Sequence, residues 1–330
     1  MLPYCKSVVF STPLVFKGKY LVNNNPPFYI FYWYSIYMQV VVTHNGSFDP
    51  DDVLAVAIVT MYLGKGNYEV VRSRDYEVID KADWVIDVGG KYDASTKRFD
   101  HHQNGVPKRD NKVPYSAFGL VWDDIGEEVC GSASVAKALE EKLVYAIDAA
   151  DNAVEVCCTC GLDIQSYEFF DVINTFKPVW GSEEDFYTGF MRAVSFARKL
   201  LRRQIAHQKG EEAMISYAKE IYDKAADKQF LELEKPVVRH SSSKLEETKM
   251  YISPVFATDS PNWMAVAVPH GIQSFASRTS FPEAWRGLSD SELEEVSGIE
   301  GAIFCHKEGY MFVANSKDAA LTAAQKALSL

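Results

Sequence analysis

The stretch "RFDHHQNG", residues 98–105, sets Asp100 against His101 and His102 with no apolar residue between them. Only 7 histidines serve the 330-residue chain, and here two are adjacent. Imidazole beside carboxylate is the donor set of a metal or proton-transfer centre, and a fold rarely needs it for stability alone. Three other segments carry related groups. "VVVTHNGSFDPDDVLA" offers His44, Asp49 and Asp51, "WVIDVGGKYD" sets Asp87 before paired glycines, and "AIDAADNAV" spaces Asp148 and Asp151 three apart on one helix face. Each alone has a plain alternative: Asp49 followed by Pro50 reads as an ordinary helix start. Taken together, carboxylates and histidines at the ends of separate elements point to one shared centre.

Mixed imidazole and carboxylate donors suit two divalent cations, with Mn²⁺ favoured and Mg²⁺ or Co²⁺ as alternatives. Two such ions about 3.5–4 Å apart can activate water at neutral pH and clamp a phosphoryl group for in-line attack. That chemistry requires no serine or cysteine nucleophile. The candidate centre therefore gathers His44, Asp49, Asp51, Asp87, Asp100, His101, His102, Asp148 and Asp151, with no division of roles among them.

The elements that must position these groups follow from periodicity. Residues 38–43 read as a β-branched strand, 51–63 as a buried helix, and 68–72 and 83–90 as further strands. This order predicts an α/β fold, a mostly parallel sheet with flanking helices. In that architecture ligands gather where the strands' carboxyl ends open a crevice. Helices are expected over 131–147 and 184–226, and a closing helix over 317–329. Character changes in "ELEKPVVRHSSSK", about residues 232–244. The predicted domains are accordingly 38–235, carrying the metal-binding groups, and a smaller α/β C-terminal domain, 236–330, for substrate.

Residues 1–37 stand apart as a non-core extension. Their aromatic run from Phe28 is too short to span a bilayer, which takes about 20 apolar residues. They also lack arginine, which disfavours organellar targeting, and Met38 is the expected start of the core. Composition, 47% hydrophobic and 24% charged, fits a globular protein without membrane spans. The formal charge of −11 argues against loose electrostatic binding to long nucleic acid, but not against a short substrate whose phosphates meet bound cations. The cysteines, including "CCTC" at 157–160, show no disulfide spacing and read as reduced thiols in an intracellular, cytoplasmic protein. A homo-oligomer is compatible with the sequence.

The order H-x4-D-x-D, strand-end Asp, D-H-H and later Asp resembles the DHH phosphoesterase superfamily. Within it, the chain is similar to the melanocyte-proliferating-gene family of metal-dependent hydrolases and 3′–5′ RNA exonucleases. The similarity rests on "THNGSFDPDDVLA", "VRSRD", "VIDVGGKYD", "RFDHHQNG", "SAFGLVW", "IDAADN", "SFPEAWRGLSDSEL" and "SGIEGAIFCH". It implies one metal on His44, Asp49 and Asp87, and another on Asp51, Asp87, His101 and an acid of "IDAADN", with Asp151 preferred to Asp148. It further implies that His102 faces the scissile phosphate and that Asp100 orients a histidine. Asp49 stands where the family commonly has histidine, and Val313 and Ala314 stand where glycines are usual.

Candidate substrate contacts in the C-terminal domain are Arg278 and Arg286 for phosphate, Trp285 for base stacking, and His270 at a Pro-His-Gly turn. Trp285 has a plain alternative in the core, and the arginines have one in surface ion pairs. The leading expectation is a phosphodiesterase on single-stranded RNA or short oligonucleotides. A phosphohydrolase for a small nucleotide or pyrophosphate is the second reading, and a non-catalytic metal-binding protein the third.

Overall fold

The computed structural model describes residues 38–154, 166–256, 259–272, 274 and 276–329. The reading of residues 1–37 and of the cysteine run at 157–160 lies outside them. Packing divides the chain into two compact units, 1–205 and 206–330, and the division falls inside a helix, whereas composition changes character at 232–244.

In the first unit, "QVVVT" forms β1 (Gln39–Thr43) inside a five-stranded sheet, with Val41 and Val42 wholly buried. A strand covered on both faces needs an unbroken apolar run, which this segment supplies. Asp49 then caps α1 (Pro50–Leu63), and Asp52 returns the bond to the Asp49 N–H as a capping box. Val53 to Val59 are all inaccessible, so the middle of α1 is buried all round, as its unbroken apolar run requires, while Tyr62 in the last turn is exposed.

β2 (Tyr68–Arg72), the short α2 (Tyr76–Ile79) and β3 (Trp84–Ile86) follow. β4 (Tyr92–Asp93) and β5 (Arg98–Phe99) complete the sheet in the order β2-β1-β3-β5-β4. Its pairs are parallel except β4 with β5, where a short helical turn over Ala94–Thr96 reverses the chain.

α3 (Ala117–Cys130) was not legible as a helix in the sequence, although Ser116 caps its start and Gly131, at φ 66°, ends it. α4 (Ala133–Leu139) leads into a π-helical turn, Glu140–Val144, and then α5 (Tyr145–Asp151). The core of this unit joins α1, α3, Phe99, Trp84 and the N-terminal part of α7 (Phe186–Lys224), with α6 (Phe169–Asn174) supplying Ile173.

The second unit holds the sheet β6 (Phe230–Glu232), β7 (Met250–Pro254), β8 (Trp263–Ala267), β10 (Met311–Ala314) and β9 (Ala302–Cys305), in that spatial order. Only β6 with β7 is parallel, so a mostly parallel arrangement holds for the first sheet and not for the second. α8 (Asp290–Ser297) and α9 (Lys317–Leu328) flank it, α9 through an alanine face of Ala319, Ala320, Ala323, Ala324 and Ala327. Val313 and Ala314 lie in β10, where the register with β9 shifts. Cys130 and Cys305 are buried, and neither forms a disulfide among the described residues. Among the described residues no helix is long and apolar enough to cross a membrane.

Candidate metal centre

β1, β3 and β5 are mutually parallel, so their carboxyl ends open on one edge of the sheet. The next residues are His44 after β1, Asp87 after β3, and Asp100 with His101 after β5. The first turn of α1 brings Asp49, Asp51 and Asp52, and the last turn of α5 brings Asp151. Asp87 adopts φ 55°, left-handed backbone that a non-glycine residue takes at a cost of about 1–2 kcal/mol. Its N–H donates to the Phe99 carbonyl at 2.9 Å, which anchors the bend between the two strand ends.

Three carboxylates converge on one ring nitrogen. His101 Nε2 lies 3.2 Å from Asp151 Oδ2, 3.4 Å from Asp87 Oδ1 and 3.7 Å from Asp51 Oδ2. One N–H serves one acceptor, so three oxygens at or beyond hydrogen-bond length surround the nitrogen as ligands surround a cation. His44 Nε2 stands 3.2 Å from Asp52 Oδ2 and 3.3 Å from Asp87 Oδ2, while its Nδ1 meets the Asn45 carbonyl. Asp52 Oδ2 and Asp87 Oδ1 are buried without a hydrogen-bond donor. Two sets among the described residues have donor atoms mutually within 4.8 Å: Asp51 with His101 and Asp151, and Asp87 with His101 and His102. Orphaned buried oxygens and this mixed donor set fit divalent cations.

The electrostatics follow from crowded, buried acids. Burial, then the charges of Asp87 and Asp151, push the Asp51 carboxyl well above the usual range. Burial also lifts Asp52 to about 8, despite the opposing charge of His44, and Asp151 to about 6. Asp49 is raised for the same first reason, with Asp87 adding to it. For Asp87 itself burial acts upward, but the close approach of the His101 and His44 rings prevails and lowers it. Both histidines are raised against the opposing effect of burial, through their contacts with Asp87.

His102 differs from its neighbour. Its side chain is 65% exposed, and its Nδ1 lies 2.8 Å from Asp100 Oδ1. That bond lifts the imidazole to about 9. Asp100 is buried and accepts from the backbone of His102 at 3.1 Å and of Gly90 at 2.6 Å. Although burial opposes it, the bond with the His102 ring and these two backbone bonds lower the carboxyl to about 2. Asp100 is thus a fixed anion that aims one histidine outward.

The structure separates Asp148 from Asp151. Asp148 is wholly buried and turns to Arg109 Nε at 2.6 Å and to Ser116 N and Oγ at 3.1 and 2.8 Å, whereas Asp151 turns to His101. Asp49 caps α1 through Oδ1, as its plain alternative describes, and belongs to neither of the two donor sets.

Sequence reasoning missed Asp52, which directly follows Asp51 and passes for an ordinary first-turn acid. It also missed Arg72, whose guanidinium lies 4.4 Å over the Phe190 ring and donates to the Gly46 carbonyl at 2.9 Å, pinning the loop after His44. "VRSRD" carried that arginine but no indication of its partner.

In the second unit, Arg278 donates to the carbonyls of Ser243, Leu245 and Thr248. Arg286 donates to the Phe281 carbonyl and Ser280 Oγ, and His270 is exposed. Trp285 is 6% exposed and packs with Phe281 and Phe312, so its plain alternative describes its surroundings.

Among solved structures, the pGpG-specific phosphodiesterase PggH of Vibrio cholerae aligns over 88% of this chain and 97% of its own at 14% identity, with a TM-score of 0.29. The MYG1 exonuclease of Rattus norvegicus is 28% identical, covering 87% of this chain and 84% of that protein. MYG1 proteins of Schizosaccharomyces pombe and Chlamydia pneumoniae are each 28% identical over 87% of this chain, and cover 97% and 94% of their own lengths. A family model described as MYG1 exonuclease, uncharacterised protein family (UPF0160), matches residues 40–328, from β1 to the end of α9. With the match spanning every segment that builds the crevice, the chain belongs to the MYG1 family.

Proposed function

We propose that the chain is a divalent-metal-dependent phosphodiesterase, a 3′–5′ exonuclease on single-stranded RNA or short oligonucleotides. The hydrolase class accords with relatives named MYG1 exonuclease in rat, mouse, human and cattle. The observation that carries the metal is the convergence of Asp51, Asp87 and Asp151 on His101 Nε2. Asp51, Asp87, His101 and Asp151 would hold one cation. His44 and Asp87, with Asp49 and Asp52 beside them, would hold a second. Bound cations supply Lewis-acid charge to phosphoryl oxygens and bring the ionisation of water close to neutral pH. Between the hard cations that the carboxylates suit, the imidazoles tilt the choice from Mg²⁺ towards Mn²⁺.

The chain's own part is positioning and charge. Asp100 takes Nδ1–H of His102, so the exposed Nε2–H of the imidazolium can donate to a phosphate oxygen and stabilise charge developing there. The fixed Asp87 bend keeps its two oxygens divided between the His44 and His101 sides. A short substrate also suits a chain of net charge −11. A small-nucleotide phosphohydrolase remains the second reading on that same observation.

The test uses metal-stripped protein reconstituted with Mn²⁺, given 5′-labelled single-stranded RNA and a dinucleotide in parallel, with His101→Ala as control. Stepwise shortening of the RNA, absent in the control, is the expected result. Cleavage of the dinucleotide alone moves the protein to the small-substrate reading. Inactivity on both, with metal bound, overturns the phosphodiester assignment.

A further inference from the structure

Asp148 and Asp151 lie one helical turn apart on α5, yet they reach different partners. Asp148 Oδ1 accepts from the Ser116 N–H and hydroxyl, and Oδ2 accepts from Arg109 Nε. These bonds occupy both oxygens, and the carboxylate is wholly buried away from any exposed ligand. Ser116 is the N-cap of α3. The next two amides, of Ala117 and Phe118, donate to Asp51 Oδ2 at 2.9 Å and Oδ1 at 2.6 Å. One carboxylate thus holds the cap residue, and the amides that follow hold a second carboxylate in the crevice.

Arg109 is held by two acids and two aromatic rings. Its guanidinium carbon lies 4.1 Å from the Tyr115 ring centroid and 4.5 Å from that of Tyr145, and Nη1 pairs with Glu140 of the π-helical turn. Its side chain is 3% exposed. Asn152 closes the same junction from the far end of α5, donating to the Asp148 carbonyl at 2.9 Å and reaching the carbonyls of Pro114 and Tyr115 at 3.4 Å. The first turn of α3 and the last turn of α5 are therefore tied at Asp148; the amides of the one hold Asp51 of α1, the other carries Asp151, and both acids face His101.

We infer that Arg109 and Asp148 are positioning residues that set the spacing of the Asp51–Asp151 ligand pair by clamping Ser116. This rests on the metal reading above. A buried ion pair serving only the fold would make the same bonds, so metal affinity must be read apart from stability. Groups that orient ligands typically change metal affinity about 10- to 100-fold when removed, while the ligand count stays the same.

The test compares full-length wild type, Asp148→Asn, Arg109→Lys and Ser116→Ala with the ligand variant Asp151→Asn. Mn²⁺ titration calorimetry gives stoichiometry and affinity, Co²⁺ absorption reports coordination, and thermal unfolding without metal reports the fold. Asp148→Asn and Ser116→Ala are expected to keep the wild-type stoichiometry and Co²⁺ band intensity, with Mn²⁺ affinity about tenfold or more weaker. Arg109→Lys should lose less than Asp148→Asn, because a cation remains. Asp151→Asn should lose a bound ion. Loss of an ion in Asp148→Asn overturns the inference by making Asp148 a ligand. Unchanged affinity alongside a lower unfolding temperature overturns it by making the pair structural. If Asp148→Asn does not fold, Ser116→Ala decides, since it leaves the ion pair intact. Wild type that binds no Mn²⁺ sinks the metal reading itself, a distinct outcome.

Discussion

His44 Nε2 lies 3.2 Å from Asp52 Oδ2, a wholly buried oxygen to which no donor is bonded. The acid that caps back to Asp49 thus also points its other oxygen at the first strand's histidine. Without a cation, this carboxyl favours its proton.

That gives a pH dependence of known sign. The Asp52 carboxyl titrates at about 8 in the folded chain, because of burial, and at about 3.9 in an unfolded one. A raised folded value stabilises the fold while the proton is held. The contribution is full at low pH and is lost as pH climbs from about 3.9 to 8. In metal-free protein the unfolding temperature should therefore fall across that window, and Asp52→Asn should flatten part of the decline. Melting curves in chelator from pH 5 to 8 check it, and identical slopes would rule out the assignment.

Cation binding should compete with these protons. Burial leaves Asp151 titrating at about 6, and contacts with Asp87 raise His44 and His101 above their ordinary value despite burial. Ligands must be deprotonated, so Mn²⁺ affinity should rise between pH 6 and 8, with protons released on binding. Calorimetry in two buffers of different ionisation enthalpy measures the release; no buffer dependence would contradict it.

The adjacent histidines should separate by phenotype. His102→Ala is expected to lower kcat about a hundredfold or more while the chain still binds its full complement of Mn²⁺. His101→Ala should lose metal. Because His102 Nδ1 also lies 3.4 Å from Asp87 Oδ1, the informative failure is an ion lost in His102→Ala, which would make it a ligand.

Gly119 offers a steric test. A Cβ there would stand 2.2 Å from Asp148 Oδ1 and 2.6 Å from Oδ2, too close for the carboxylate to stay. Alanine favours a helix interior over glycine by about 1 kcal/mol, so any loss in Gly119→Ala comes from the displacement. A net destabilisation of about 1–3 kcal/mol in denaturant titration is expected. Wild-type stability would show that Asp148 has room to move.

How much was legible follows from the reach of each signal. β1 and α1 announce themselves because one is a β-branched run and the other carries cap, Pro50 and acids in order. Parallel strands then dictate that His44, Asp87 and His101 share an edge. α3 escaped because Gly119 and Gly126 interrupt its propensity, and both sit there for contact reasons, against Asp148 and Trp122. β4 and β5 are two residues each, below any period. Asp148 and Asp151 occupy one face by spacing, and only tertiary partners divide them. Arg109 lies in a loop whose local sequence says nothing of the tyrosines that enclose it.

The wide turn at Glu140–Val144 has a consequence for how this centre can vary. Relative to α geometry a π turn accommodates one extra residue, and such bulges recur at functional sites. Deleting a single residue there would close the turn and leave α5 in register, whereas the same deletion within α4 would rotate everything beyond it by about 100°. Asp148 and Asp151 would swing off Ser116 and His101 together, with every side chain chemically unaltered. The catalytic capacity of a homologous chain is thus open to loss or gain through a change of length outside the ligand positions, a kind of variation that comparing residue identities at those positions alone would pass over.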